Sequence, residues 1–170
     1  TSSDKELGTI NILLLGEPGT GKSRLLRFAR NFAPKFYFAS GDSSTGVGVM
    51  YTVERDEFLN TWALKAGSFI MANDGLLSLD ELDKFDEEQS KMMHSALASG
   101  ELTINKASIH NVTVSCETAL LSAANPKIGR FDPFTDDLST QITMPLPLIN
   151  RFDLIFPIQD IPSDKNEESD

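Results

Sequence analysis

The chain contains five short apolar runs separated by more polar stretches. The runs lie at residues 10–15, 36–39, 76–79, 119–123 and 153–157. Continuous apolar runs of this length are typical of strands that are buried on both faces of a parallel sheet. The spacing of apolar residues between them predicts one helix from residue 22 to about residue 32 and another over about 87–98, which Gly100 would end. The pattern therefore predicts an α/β fold, with a five-stranded parallel sheet flanked by helices.

The composition narrows the class of protein. The 170 residues suffice for one ordinary domain, and 40% hydrophobic with 24% charged residues is typical of a soluble globular chain. No apolar run approaches the roughly 20 residues that span a bilayer. The single cysteine, Cys116, has no partner for an internal disulfide, so it is expected to be a small buried side chain in an intracellular protein.

The net charge of −10 argues against a surface that coats nucleic acid, because such binding depends on Lys and Arg side chains that neutralise phosphates. Any contact with DNA is expected to be local. Part of the acidic excess lies at residues 161–170, which are predicted to be an acidic tail or linker. The folded domain is expected to cover residues 1–160.

A glycine-rich loop connects the first predicted strand to the first predicted helix. A chance turn is the alternative, but the strand and helix on either side are what a phosphate-binding P-loop requires. The glycines let backbone N–H groups turn toward phosphate oxygens, Lys22 would reach the β- and γ-phosphates, and Ser23 would bind Mg²⁺. The predicted nucleotide-binding residues are Gly16, Glu17, Pro18, Gly19, Thr20, Gly21, Lys22 and Ser23.

The third apolar run ends in two carboxylates, Asp80 and Glu81. Asp80 would hold Mg²⁺ through water, and Glu81 would polarise the water that attacks the γ-phosphate. By itself the pattern also fits a strand followed by an acidic helix cap. After a P-loop, however, the catalytic interpretation is favoured.

Two further polar residues stand beside apolar runs. Asn125 follows the fourth run and would orient the attacking water or contact the γ-phosphate, although Asn-Pro is also a common turn dipeptide. Arg151 comes just before the last run, a position that suits an arginine finger acting on a neighbouring subunit.

Taken together, these segments resemble the ATPase domain of the MCM replicative helicases, within the AAA+ ATPases. The resemblance covers about residues 10–157. A generic P-loop ATPase does not carry all of the family-like segments, and the most specific are Asp-Glu-Leu-Asp-Lys and Arg-Phe-Asp-Leu. The family-like segments lie at residues 16–23, 43–48, 66–69 leading into 80–84, 124–126, 129–133 and 151–154.

The resemblance implies an ATP-hydrolysing motor domain of a ring-shaped DNA helicase that unwinds duplex DNA in replication. ATP and Mg²⁺ are the implied cofactors, and DNA and like subunits in a ring of six are the implied partners. The location would be the cytoplasm of an archaeon or the nucleus of a eukaryote. The implied catalytic residues are Lys22, Asp80, Glu81, Asn125 and, for a neighbour's site, Arg151.

The resemblance also implies two inserted β-hairpins, at residues 49–64 (the helix-2 insert) and 101–115 (the pre-sensor-1 hairpin). Both segments alternate as hairpin arms do. Lys106 falls at the turn of the second hairpin, where the family presents a lysine to DNA in the central channel. Arg55, near the tip of the first hairpin, is a second candidate for DNA binding. The plain alternative for Lys106 is an ordinary exposed turn lysine.

The chain departs from the family pattern at Thr20, where MCM proteins mostly have alanine, at Asn150 in place of serine, and at Ser108 in place of glycine. An N-terminal DNA-binding domain and a C-terminal lid are expected to lie outside these residues. The main functional alternative is a MoxR-like AAA+ ATPase that remodels a protein partner. Another is a relative that only binds nucleotide.

Overall fold

The computed structural model describes residues 8–42, 47–57, 60–106, 109–132 and 138–160. The predicted acidic tail at 161–170 and parts of the family-like segments at 43–48 and 129–133 lie outside these ranges. The described part contains nine strands: β1 (Ile12–Gly16), β2 (Phe36–Ser40), β3 (Tyr51–Asp56), β4 (Thr61–Ala66), β5 (Leu76–Asp80), β6 (Glu101–Lys106), β7 (Ile109–Ser115), β8 (Ala119–Ala124) and β9 (Leu154–Ile158).

The five strands predicted from the apolar runs form one parallel sheet in the order β2-β5-β8-β1-β9. The other four strands form two antiparallel hairpins, β3-β4 and β6-β7. The predicted α/β fold is confirmed. The second hairpin has its predicted bounds, whereas the strands of the first hairpin begin and end two residues later than expected, because residues 47–50 form a short helix.

Five α-helices connect these strands in the described part: α1 (Lys22–Phe28), α2 (Val47–Met50), α3 (Ser68–Met71), α4 (Glu87–Ser99) and α5 (Leu146–Ile149). The helix expected to reach residue 32 ends at Phe28 and continues as a 3-10 turn, Ala29–Asn31. Pro34 follows soon afterwards and disfavours a helical residue before it. No helix of the described part is both long and apolar enough to cross a membrane.

Helix α4 confirms its prediction from both ends. At its start the Asp86 side chain accepts a hydrogen bond from the Gln89 N–H at 2.8 Å, and the Gln89 side chain accepts one from the Asp86 N–H at 2.9 Å. This reciprocal capping box satisfies two backbone donors that the first turn leaves free. At its end Gly100 takes φ 69°, a left-handed conformation that glycine adopts without strain.

Buried leucines cover both faces of the sheet. On one face Leu26 of α1 packs with Leu14 and Ala123. The other face carries the main core, in which Met93 of α4 and Phe69 of α3 are fully buried. Burial of each such side chain contributes about 1.5–3 kcal/mol.

Burial on both faces explains why the central strands β1, β5 and β8 are continuous apolar runs. The run at 153–157 was also expected to be a buried strand, and this was wrong: β9 lies at the edge of the sheet, and Leu154, Ile155 and Phe156 are exposed.

Cys116 is 2% exposed, as predicted for a buried side chain. Burial raises the pKa of its thiol from 9.0 to about 11, and the carboxylates of Glu101 and Glu117 add to the shift. The folded state therefore keeps the neutral thiol while the unfolded chain ionises above pH 9. Between pH 9 and 11 the free energy of unfolding of the wild type should fall by about 2 kcal/mol more than that of Cys116→Ala. Denaturant titrations at several pH values check this, and parallel pH curves for the two proteins would contradict it.

Candidate active site

The carboxyl ends of β1, β5 and β8 meet at one edge of the sheet, where a cleft of about 420 Å³ opens. Most of the residues that were predicted to bind or hydrolyse a nucleotide lie there. Arg24 is the one lining residue that the sequence analysis did not single out. The cleft is lined by Pro18, Gly19, Gly21, Lys22, Ser23, Arg24, Asp80, Glu81 and Asn125.

The loop after β1 depends on glycine at three positions. Gly19 and Gly21 take φ 88° and 83°, in the left-handed region where a side chain is strained. Gly16 packs against β9 so closely that a Cβ atom would lie 2.7 Å from the Ile158 carbonyl oxygen. A hydrogen bond within the loop stabilises this conformation: the Thr20 hydroxyl donates to the Glu17 carbonyl at 2.7 Å. Three residues therefore support the conformation of the loop without lining the cleft: Gly16, Glu17 and Thr20.

The ammonium group of Lys22 is buried inside this loop. Its Nζ donates to the carbonyl oxygens of Gly16 at 2.7 Å and Glu17 at 2.6 Å. Burial lowers the pKa of Lys22, and the carboxylates of Asp80, Asp83 and Glu17 oppose that shift. A desolvated cation inside a glycine-rich loop attracts an anionic ligand strongly, because little water screens its charge.

Asp80 ends β5, and Glu81 follows it in a left-handed conformation with φ 55°. Such a backbone costs about 1–3 kcal/mol in a residue other than glycine, so the surroundings must hold it. The end of β2 does so: the Ser40 hydroxyl donates to Glu81 Oε2 at 2.8 Å, and the Gly41 N–H donates to the Asp80 carbonyl at 2.9 Å.

Gly41 allows this close approach, since a Cβ atom there would lie 2.3 Å from the Glu81 carbonyl oxygen. The sequence pattern did not indicate a role for either Ser40 or Gly41. The sequence shows only that these two residues come just after a predicted strand. This position points to Glu81 only once β2 is known to pair with β5.

Asn125 directly follows β8, the strand beside β5, and lines the same cleft as the carboxylates. Its backbone N–H donates to Asp83 Oδ1 at 2.9 Å. The same loop returns to the phosphate-binding loop, where the Phe131 N–H donates to Glu17 Oε1 at 3.1 Å. Neither carboxylate contact was expected from the sequence.

Arg151 does not join the cleft of its own chain. It is exposed and lies three residues before β9, at the amino end of the sheet. Its carbonyl accepts a hydrogen bond from the Asn11 side chain at 3.1 Å, and Asn11 immediately precedes β1. The five residues of β1, at about 3.3 Å each, separate this end from the glycine loop by about 16 Å.

The candidate DNA-binding residues lie on the two hairpins. Lys106 is the last residue of β6 and is paired with Ile109 of β7, but its side chain lies outside the described part. Arg55 is exposed near the tip of the first hairpin, opposite Trp62, and donates to the Asn60 side chain at 2.5 Å. The structure does not bring these two residues into the cleft.

A second, more open depression of about 520 Å³ lies at the amino edge of the sheet. Among the residues that line it, Asp74 and Glu117 are charged and none is basic, so it is unsuited to a phosphate. The cleft at the carboxyl edge is the better candidate for a nucleotide. It also lies where α/β sheets generally bind ligands.

Comparison with known proteins agrees with this geometry. The family model described as "MCM P-loop domain" matches residues 1–169. DNA replication licensing factor mcm7 of Schizosaccharomyces pombe is 37% identical over 161 residues, which cover 95% of this chain and 21% of the relative. Minichromosome maintenance protein MCM of Saccharolobus solfataricus is 34% identical over 161 residues, which cover 95% of this chain and 23% of the relative.

The chain therefore spans about a fifth of the length of the relatives it matches. The match includes the glycine loop, both carboxylates after β5 and the segment around Arg151. Nucleotide binding is a property of such a P-loop domain. The fold, the cleft and these matches together place the chain in the MCM family, as its P-loop domain.

Proposed function

We propose that the chain is the ATP-hydrolysing motor domain of a ring-shaped MCM helicase that unwinds duplex DNA in replication. The observation that carries the proposal is the convergence of Lys22, Asp80, Glu81 and Asn125 on one cleft, while Arg151 lies at the opposite edge of the sheet. The first four suit hydrolysis of a bound nucleotide. The fifth suits completion of the same reaction in a neighbouring copy.

Within the cleft, each residue has a distinct task. Lys22 is desolvated and therefore pairs with β- and γ-phosphate oxygens. Glu81, held by the Ser40 hydroxyl, accepts a proton from the attacking water. Asn125 contacts that water or the γ-phosphate from the end of the neighbouring strand β8. The catalytic effect is electrostatic stabilisation of the charge that spreads over the transferring phosphoryl group.

The residues present also fit a magnesium ion. The Ser23 hydroxyl and the Asp80 carboxylate both line the cleft, and oxygen ligands of these types are those that Mg²⁺ prefers. When bound, Mg²⁺ would supply positive charge that offsets the negative charge of the phosphate groups. Ser23 and Asp80 are the residues that would hold it.

The position of Arg151 supports the proposed ring. The Arg151 backbone is separated from its own glycine loop by the length of β1, about 16 Å, and this favours action of the side chain on the cleft of a second copy. A head-to-tail contact of this kind closes into a ring when the rotation allows it. We place six subunits in that ring, with the two hairpins toward a central DNA strand. The protein works where the DNA is, in an archaeal cytoplasm or a eukaryotic nucleus.

Lys106 is expected to grip one DNA phosphate per subunit. Lys106→Ala in the full-length protein should therefore slow the unwinding of a forked duplex at least about tenfold, with DNA-free ATPase within about twofold of wild type. The salt dependence of DNA binding should also weaken, since fewer phosphates are neutralised. Unwinding, ATPase and binding are measured at the same stated salt concentrations.

Lys91→Ala provides the matched control. Lys91 is an exposed lysine that pairs with Glu87 on the same helix at 2.6 Å. Its loss removes the same charge near the start of β6, whereas Lys106 is the last residue of that strand. Normal unwinding by Lys106→Ala would remove the hairpin from the mechanism. If the wild type hydrolyses ATP but neither unwinds the fork nor responds to DNA, a motor that remodels a protein partner is favoured instead.

A further inference from the structure

The main chain that carries Asn125 is held by a carboxylate that is not itself in the cleft. The Asn125 N–H donates to Asp83 Oδ1 at 2.9 Å, while Asp83 is absent from the lining of the cleft. We infer that Asp83 is a positioning residue, which fixes the Asn125 backbone so that the amide side chain points at the reacting phosphate. This inference rests on the proposed hydrolysis of ATP at this site.

Asp83 is itself rigidly placed. It lies in a 3-10 turn, Leu82–Lys84, that directly follows Glu81, and its side chain is only 10% exposed. The turn is anchored by Leu82, which is fully buried, and by a hydrogen bond from the Lys84 N–H to the Glu81 carbonyl at 3.0 Å. The hydrogen bond from the Asn125 N–H to Asp83 therefore connects the segment after β8, which carries Asn125, to the segment after β5, which carries Glu81.

The far end of the loop after Asn125 is held by a second carboxylate. The Phe131 N–H donates to Glu17 Oε1 at 3.1 Å, and the Phe131 ring is buried in the main core. The carbonyl of the same Glu17 accepts from Lys22 Nζ at 2.6 Å. Residues 125–132 are thus tied at one end to the carboxylate turn and at the other to the phosphate-binding loop.

Asp83 has a second conceivable effect, because its negative charge also acts on the Lys22 ammonium. Two conservative variants distinguish the effect of where the Asp83 acceptor oxygen lies from the effect of its charge on Lys22. Asp83→Asn keeps an acceptor oxygen at the same place and removes the charge. Asp83→Glu keeps the charge but moves the acceptor by one carbon–carbon bond, about 1.5 Å. Positioning predicts that the asparagine variant is the more active, whereas an effect of charge predicts the reverse order.

The test uses the assembled full-length protein with ATP and Mg²⁺. Asp83→Glu should lower kcat about 10- to 100-fold with the Kd for ATP within about threefold, because a displacement of about 1 Å is costly at a reacting centre. Asp83→Asn should keep kcat within about threefold of wild type. Amide hydrogen exchange should show the Asn125 N–H exchanging at least about tenfold faster in Asp83→Glu alone.

A kcat for Asp83→Asn at or below that of Asp83→Glu would overturn the inference, as would unchanged exchange at Asn125 in Asp83→Glu. The exchange measurement does not depend on catalysis. If the wild type failed to hydrolyse ATP, the proposed function would fall, and exchange at Asn125 would still decide whether Asp83 holds the backbone there.

Discussion

Replacing Arg151 with alanine is expected to lower the kcat for ATP hydrolysis by the assembled protein about 10³- to 10⁵-fold, the range typical of arginine fingers. The isolated chain should bind ATP as the wild type does, because Arg151 lies at the amino end of the sheet, far from its own glycine loop. An isolated wild-type monomer should likewise bind nucleotide and hydrolyse it slowly.

The fold should tolerate this change. The Arg151 side chain is exposed, and the contact that anchors this residue is made by its backbone carbonyl, which accepts from Asn11 and which alanine retains. Arg30→Ala is the matched control, since Arg30 is another exposed arginine of the same domain, in the 3-10 turn after α1. Its removal should leave kcat within about twofold of wild type, as surface substitutions generally do.

A mixing experiment tests whether the arginine acts between subunits. Lys22→Ala removes the loop cation and Arg151→Ala the finger, so an assembly of either variant alone has no complete site. In an equal mixture about a quarter of the interfaces join an intact Lys22 to an intact Arg151 of the next copy, as a head-to-tail ring allows. ATPase should therefore return to about a quarter of wild type. No recovery would mean that Arg151 serves its own chain or none.

The sequence predicted the sheet and the cleft well, for a definite physical reason. Strands buried on both faces appear as continuous apolar runs, which located the central strands β1, β5 and β8. The edge strand β9 was located because its side chains are apolar, although Leu154, Ile155 and Phe156 are exposed. Parallel strands end at a common edge, so the polar residues that follow β1, β5 and β8 had to meet. Lys22, Glu81 and Asn125 were found because their chemistry depends on residue type and on position next to a strand.

The contacts that hold these residues could not be predicted in the same way. The hydrogen bonds from Ser40 to Glu81, from Asn125 to Asp83 and from Phe131 to Glu17 join positions 41, 42 and 114 residues apart. Apolar periodicity indicates which edge of the sheet a residue reaches, but not which neighbouring carboxylate its backbone contacts. The end of α1 was missed for a related reason, because apolar spacing continues past Phe28 while the backbone tightens into a 3-10 turn.

Glu81→Gln is expected to lower kcat about 10²- to 10⁴-fold, the usual contribution of a general base, and to leave the Kd for ATP within about threefold. The amide has nearly the shape of the carboxylate, and its oxygen still accepts from the Ser40 hydroxyl, which lies 2.8 Å from Glu81 Oε2 in the wild type. It cannot take a proton from water. ATP binding should therefore be retained while hydrolysis becomes much slower. Equilibrium binding of ATP and single-turnover release of phosphate measure the two effects separately.

Glu88→Gln is the control for this change, because Glu88 is an exposed carboxylate in the first turn of α4, away from the cleft. The two variants lose the same charge, so only the loss of a base in the cleft distinguishes them. Retention of wild-type kcat by Glu81→Gln would assign the base to another group, and Asp80 is the nearest candidate. A large loss of ATP affinity instead would mean that Glu81 supports the bound nucleotide, and that its strained backbone serves binding rather than proton transfer.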